Sequence, residues 1–164
     1  MNNYSDKHPD VENIDLANTY TENDLKELKN DINNLRLRAA TFFGFAGLLL
    51  RFIIELSNSE PSYLLTKIVA FLTCFSSIVL LALVLRGEFI PTNLTYKELI
   101  EKYFLPNPIL EVKKKILENN IEELDFHVQH FYRILNLLHQ ATICLVVSAF
   151  FFMSNSILVS FFGQ

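Results

Sequence analysis

AATFFGFAGLLLRFIIEL at 39–56, YLLTKIVAFLTCFSSIVLLALVL at 63–85 and ATICLVVSAFFFMSNSILVSFFG at 141–163 decide how this chain is read. A hydrocarbon core of about 30 Å is crossed by about 20 predominantly apolar residues in helical form. Each stretch is close to that length. Lipid offers no partner to a free peptide group, so helices are the form in which single stretches cross. The expectation is an all-α integral membrane protein with about three transmembrane helices and a cytoplasmic helical stalk.

The totals agree with one folding unit of this kind. Of 164 residues, 51% are hydrophobic, 15 are Phe and none is Trp. The formal charge of −4 is unevenly spread: residues 1–20 carry Asp6, Asp10, Glu12 and Asp15 against Lys7. With little apolar surface to bury, this stretch reads as a flexible acidic tail. The helical membrane domain then occupies 21–164. Overall acidity argues against nucleic acid as a partner, because phosphate binding is dominated by Lys and Arg. The N-terminus is polar and acidic, unlike a cleavable signal peptide. The first or second span would then serve as an uncleaved insertion signal. Cys74 and Cys144 fall inside spans without metal-ligand spacing and read as inert buried thiols.

Basic residues orient the spans. Lys26, Lys29, Arg36 and Arg38 precede the first. Arg86, Lys97, Lys102, Lys113, Lys114, Lys115 and Arg133 lie between the second and third. The connection 57–62 carries Glu60 and no Lys or Arg. Positive charge stays on the cytoplasmic side, which places the N-terminus and residues 87–138 in the cytoplasm. Ser154-Asn155-Ser156 interrupts the third run, so residues 157–164 are open to two placements, across the bilayer or along its interface.

In the cytoplasmic part, Thr21 and Asp24 resemble a capping box, opening a helix from about Glu22 to Leu56. Leu25, Leu28, Ile32 and Leu35 form its seam, carried on by Ala39 and Phe42. Thr95 and Glu98 suggest a short helix to about Tyr103. Asn107 and Pro108 then start a long one. On it Leu117, Ile121, Leu124, Val128, Phe131, Leu135 and Leu138 alternate steps of 4 and 3, and Leu145 continues the register. The partner of this seam is either the first cytoplasmic helix, parallel or antiparallel, or the same helix of another subunit. Lys113–Lys115 reads as a solvated face, with anionic lipid or a phosphate-bearing messenger as the alternative.

Within the spans, Ala40, Gly44, Gly47, Arg51 and Glu55 share one face of the first helix. Small residues allow close helix approach in lipid. Arg51 lies about 18 Å past Ala39 at about 1.5 Å per residue, where an uncompensated charge costs at least about 2.5 kcal/mol. Arg51 and Glu55 are spaced to pair, with Lys67 at similar depth; the charges either snorkel outward or line a polar path or subunit contact. Thr66, Ala70, Thr73 and Ser77 form a matching stripe on the second span, fit for a helix contact or a narrow pore wall. His127 and His130 have i,i+3 spacing but lack further ligands, so neither a metal nor another cofactor is expected. No catalytic constellation is legible, and the chain is not expected to be an enzyme.

The run Leu35-Arg36-Leu37-Arg38-Ala39-Ala40-Thr41-Phe42-Phe43-Gly44-Phe45-Ala46-Gly47-Leu48-Leu49-Leu50 resembles small bacterial antiphage membrane proteins, in which a basic residue and Ala precede a Gly-containing span. It looks like the Pycsar-type transmembrane effectors and, more loosely, the SLATT effectors. The order of helix, membrane hairpin, cytoplasmic insertion and long helix also fits. The resemblance implies an effector that oligomerises in the inner membrane and breaches it when triggered, by a signalling nucleotide or a partner protein. The alternatives are a non-catalytic structural or accessory subunit of a larger membrane complex, and a channel or transporter.

Overall fold

Long uninterrupted helices follow from a chain whose prolines all lie outside the apolar runs. The computed structural model describes residues 9–55, 61–86 and 108–162. They form helices α1 (Pro9–Glu55), α2 (Pro61–Leu85) and α3 (Ile109–Phe162), and no strand occurs among them. Pro61 opens α2 where proline is tolerated, since a first-turn N–H has no intrahelical acceptor. Pro108 accepts the first bonds of α3 through its carbonyl, from the N–H groups of Glu111 (3.0 Å) and Val112 (3.3 Å).

All three helices are long and apolar enough to cross a membrane, with 18-residue windows of mean hydropathy 1.7, 2.8 and 1.8. Only 22%, 28% and 28% of these windows is buried inside the protein. So much uncovered apolar surface is unsuited to water and fits a lipid surrounding.

The chain divides into two units. One is built from residues up to Asp31 and from Glu88 to Phe131, the other from Ile32–Gly87 and Tyr132–Gln164. In the first, Asp15 meets Lys113 and Lys29 meets Glu123. Sequence numbers rise together along both helices, so α1 and α3 are parallel there. In the second, Ser77 meets Ala141 and Ser148 meets Ala70, so α2 runs against α3. Cys74 meets Ala46, and Lys67 meets Ile54, so α2 runs against α1 as well.

Buried positions recur at steps of 3, 4 or 7. Ala70, Cys74, Ser77, Leu81 and Val84 line α2, while Ile32, Leu35, Ala39, Ala46, Leu49 and Ile53 line α1. This spacing is that of helices packed at shallow crossing angles.

Two expectations are corrected. α1 starts at Pro9 rather than near Glu22, so residues 9–20 of the supposed flexible tail are helical. Within this stretch Asp15 pairs with Lys113 of α3. Thr21 is not a cap: its Oγ1 donates to the Ala17 carbonyl one turn back (2.8 Å), as hydroxyls do inside helices. Through Ser154-Asn155-Ser156 helix α3 is unbroken. α3 continues to Phe162, with Ser156 Oγ donating to Phe152 O (3.0 Å) and Ser160 Oγ to Ser156 O (2.9 Å). The expected short helix from Thr95 to Tyr103, the cap at Asn107, and residues 1–8 and 56–60 lie outside the described residues.

Candidate functional site

The second unit is organised around small residues on α2. Ser77 Oγ donates to Ala141 O at 2.9 Å, and Ser148 Oγ donates to Ala70 O at 2.8 Å. Cys74 Sγ donates to Ala46 O at 3.3 Å. All six residues are buried. Ala and Ser let two backbones come close enough for a side chain to reach the opposing helix's carbonyl. In an apolar medium such a bond contributes about 0.6 kcal/mol on average and up to about 1.7. Thr73 turns back on its own helix, donating to Val69 O (2.8 Å) and Ala70 O (3.1 Å). Thr66 is half-buried. Of the α2 stripe of Thr66, Ala70, Thr73 and Ser77, Ala70 and Ser77 pack against α3, while α1 is met by the neighbouring Cys74.

The small face of α1 has a different fate. Ala40, Gly44, Gly47, Arg51 and Glu55 are all exposed, and a Cβ placed on Gly44 or Gly47 would meet nothing within 4 Å. What α1 buries instead is the neighbouring row, Ala39, Ala46, Leu49 and Ile53. The two small stripes expected to meet are thus not brought together. On the uncovered face, Arg51 Nε donates to Glu55 Oε1 at 2.8 Å, with the side chains 73% and 55% exposed. Lys67 Nζ donates to Ile54 O at 3.4 Å, in the last turn of α1, where carbonyls lack intrahelical donors.

The first unit holds a compact polar cluster. Lys29 Nζ lies 2.8 Å from Glu123 Oε1, and His127 Nε2 lies 3.5 Å from the same oxygen. His127 and His130 are both buried. Burial pushes the His127 imidazole below the ordinary histidine range. The Lys29 ammonium pushes the same way, and Glu123 partly opposes both. Among the described residues, no three of His, Cys, Asp and Glu gather as a metal would require. Lys113 pairs with Asp15 at 2.6 Å and Lys115 with Glu118 at 3.2 Å, while Lys114 is exposed.

The α3 seam read from apolar spacing is displaced by one position between 121 and 135, while Leu138 and Leu145 are buried as expected. Ile121, Val128 and Leu135 are exposed, while Leu117, Leu124 and Phe131 are half-buried. The inward row is His127, His130, Ile134, Leu138, Ala141, Leu145 and Ser148, about 100° round the helix. Counting apolar residues overlooks the part of this row before Leu138 because two histidines stand in it. Their i,i+3 spacing with Ile134 following was the available signal. On α1 the expected seam holds: Ile32, Leu35 and Ala39 are buried, with Leu25, Leu28 and Phe42 half-buried.

Comparison with known protein families, with characterised proteins and with solved structures returns no match to this chain. What the chain itself offers is a hydrogen-bonded three-helix core and, on α1, a small, charge-bearing face that is left uncovered.

Proposed function

We propose that this chain is a small inner-membrane effector, non-catalytic and multi-pass, that self-associates and perturbs the bilayer in an antiphage response. The carrying observation is the uncovered α1 face. Gly44 and Gly47 leave open backbone where another helix can approach closely. Arg51 and Glu55 place a charged pair on the same face (2.8 Å), where exposure to hydrocarbon is costly. A second copy seated there shelters the pair and gains van der Waals contact along the glycines. Several copies so joined bring polar groups together at one seam, where water and ions can follow them.

The Lys and Arg content of the N-terminal and 87–138 regions supports a cytoplasmic position for both in this reading. The antiphage assignment is supported by the resemblance of residues 35–50 alone, and is an analogy. In this reading the trigger is a signalling nucleotide or a partner protein.

The test is membrane potential in cells expressing the chain together with its triggering system. Depolarisation is expected, and Gly44→Leu or Arg51→Leu should abolish it with membrane-inserted protein at wild-type level. Unchanged potential under activation overturns the reading. Recovery of a stoichiometric unrelated membrane protein in mild detergent would replace it with that of an accessory subunit.

A further inference from the structure

We infer that the second unit binds the phosphates of anionic lipids at the end where α2 terminates. The residues that hold them are Arg36 and Arg38 of α1, Arg86 directly after α2, and Arg133 of α3. Such binding holds whether or not the chain acts as an effector.

Helix register brings these arginines to one level. Cys74 of α2 meets Ala46 of α1, and Ser77 of α2 meets Ala141 of α3. From the first contact, Arg86 lies twelve residues on along α2 and Arg36 ten residues back along α1. From the second, Arg86 lies nine residues on and Arg133 eight residues back along α3. The backbone keeps its helical path as far as Arg86, whose N–H donates to Ala82 O at 2.9 Å. Each pair therefore matches in height to within about 3 Å, and Arg38 follows Arg36 by about the same rise.

That level is where a bilayer places its phosphates. The apolar window of α2, Leu64–Leu85, has 22 residues. Its length of about 33 Å matches a hydrocarbon core of about 30 Å, and Arg86 is the first residue beyond it. Tyr132, 65% exposed, stands beside Arg133, and tyrosine favours the membrane–water boundary. Arg38, Arg86 and Arg133 are exposed, and Arg36 is half-buried.

Residue type points to phosphate in particular. Four of the five arginines of the chain stand here, whereas the cations elsewhere, Arg51 apart, are lysines. Orientation by positive charge draws on Lys and Arg alike. A guanidinium adds a planar fork that grips phosphate through two bonds, where an ammonium is a point charge. Among the described residues of the second unit the carboxylate is Glu55, in the last turn of α1 at the opposite end. Arg36 and Arg38 are about 200° apart round α1, and α2 and α3 each contribute one more arginine. A collar of this kind suits several headgroups around the bundle rather than one small soluble anion.

The test is electron paramagnetic resonance of trace spin-labelled lipids in phosphatidylcholine vesicles holding the full chain. Labelled phosphatidylglycerol should associate with the protein about fivefold more tightly than labelled phosphatidylcholine, and less so as salt rises. Arg36→Gln, Arg38→Gln, Arg86→Gln and Arg133→Gln combined should bring that ratio to about one, with helical content unchanged. Lysine at the same four positions should retain part of the preference, which separates loss of charge from loss of fold. Arg51→Gln, at the other end, should retain all of it. Equal association of the two lipids with the unsubstituted chain overturns the inference, as does a preference that survives the fourfold glutamine variant. Displacement of the labelled lipid by inorganic phosphate or adenosine monophosphate at constant ionic strength also overturns it, in favour of a soluble ligand.

Discussion

Ser148 on α3 donates its hydroxyl to the carbonyl of Ala70 on α2 at 2.8 Å, with both residues fully buried. A hydroxyl that reaches across to a neighbouring helix's backbone requires small residues on both sides. That requirement explains why the buried α2 row is Ala70, Cys74 and Ser77 where these bonds form, and turns to Leu81 and Val84 only beyond them. Ser148→Ala should destabilise the bundle by about 0.6–1.7 kcal/mol, and Ser148→Leu by more, because it must also separate the helices. Reversible unfolding in detergent or bicelles measures both, with Ser77→Ala as an independent second case.

Gly44→Leu should leave the protomer's own packing unchanged, since nothing lies within 4 Å of a Cβ at that position. It should instead remove close association between copies. Unfolding transitions equal to wild type, together with loss of oligomers in native mass spectrometry, would bear this out. A destabilised monomer would show that the face is covered within the protomer.

Arg51→Leu leaves Glu55 without its partner at 2.8 Å. Since the pair is largely exposed, the protomer's stability should move by less than about 1 kcal/mol in detergent. The larger effect is expected on depolarisation, and Arg51→Lys should restore part of it. Dye-reported potential across these variants separates the two quantities.

His127 makes the first unit sensitive to acid. Its folded value lies below the ordinary histidine value of about 6.5, with burial the main cause. The unfolded chain therefore binds more protons as pH falls. Stability is complete above the unfolded value and is lost as pH drops from there toward the folded value. The groups facing the ring are Glu123 and His130 on α3 and Lys29 on α1. His127→Leu should abolish this slope between neutral and acid conditions. Lys29→Ala should move the histidine's titration upward. Denaturant midpoints against pH and histidine ring NMR shifts provide the two readings.

The three spans and the α1 seam were legible because each rests on one dominant signal. For the spans it is unbroken apolar length. For Ile32, Leu35 and Ala39 it is apolar spacing along a helix that also carries Lys and Arg. Inside a span that contrast vanishes, since lipid-facing and protein-facing positions are both apolar. Two small-residue rows then stand side by side on α1, and spacing alone could not show that Ala39 and Ala46 face inward while Gly44 and Gly47 face out. On α3 the apolar count favoured Ile121 and Val128 over His127 and His130. A buried imidazole reads as a core residue only once Lys29 and Glu123 are seen beside it. The helical start at Pro9 was hidden for a related reason. Asp15 finds Lys113 across 98 residues of sequence, a tertiary contact that composition does not encode.

That separation carries a consequence for how the molecule is made. Because α1 and α3 advance in the same sense, the leading half of α1 emerges from the ribosome long before its companion exists. It waits through translation of α2 and the connection beyond, while local helix formation proceeds on its own. Pairings this distant along the chain are closed late and slowly, and surfaces left waiting are where misassembly starts. Maturation of the first unit should therefore lag behind insertion of the α1–α2 hairpin.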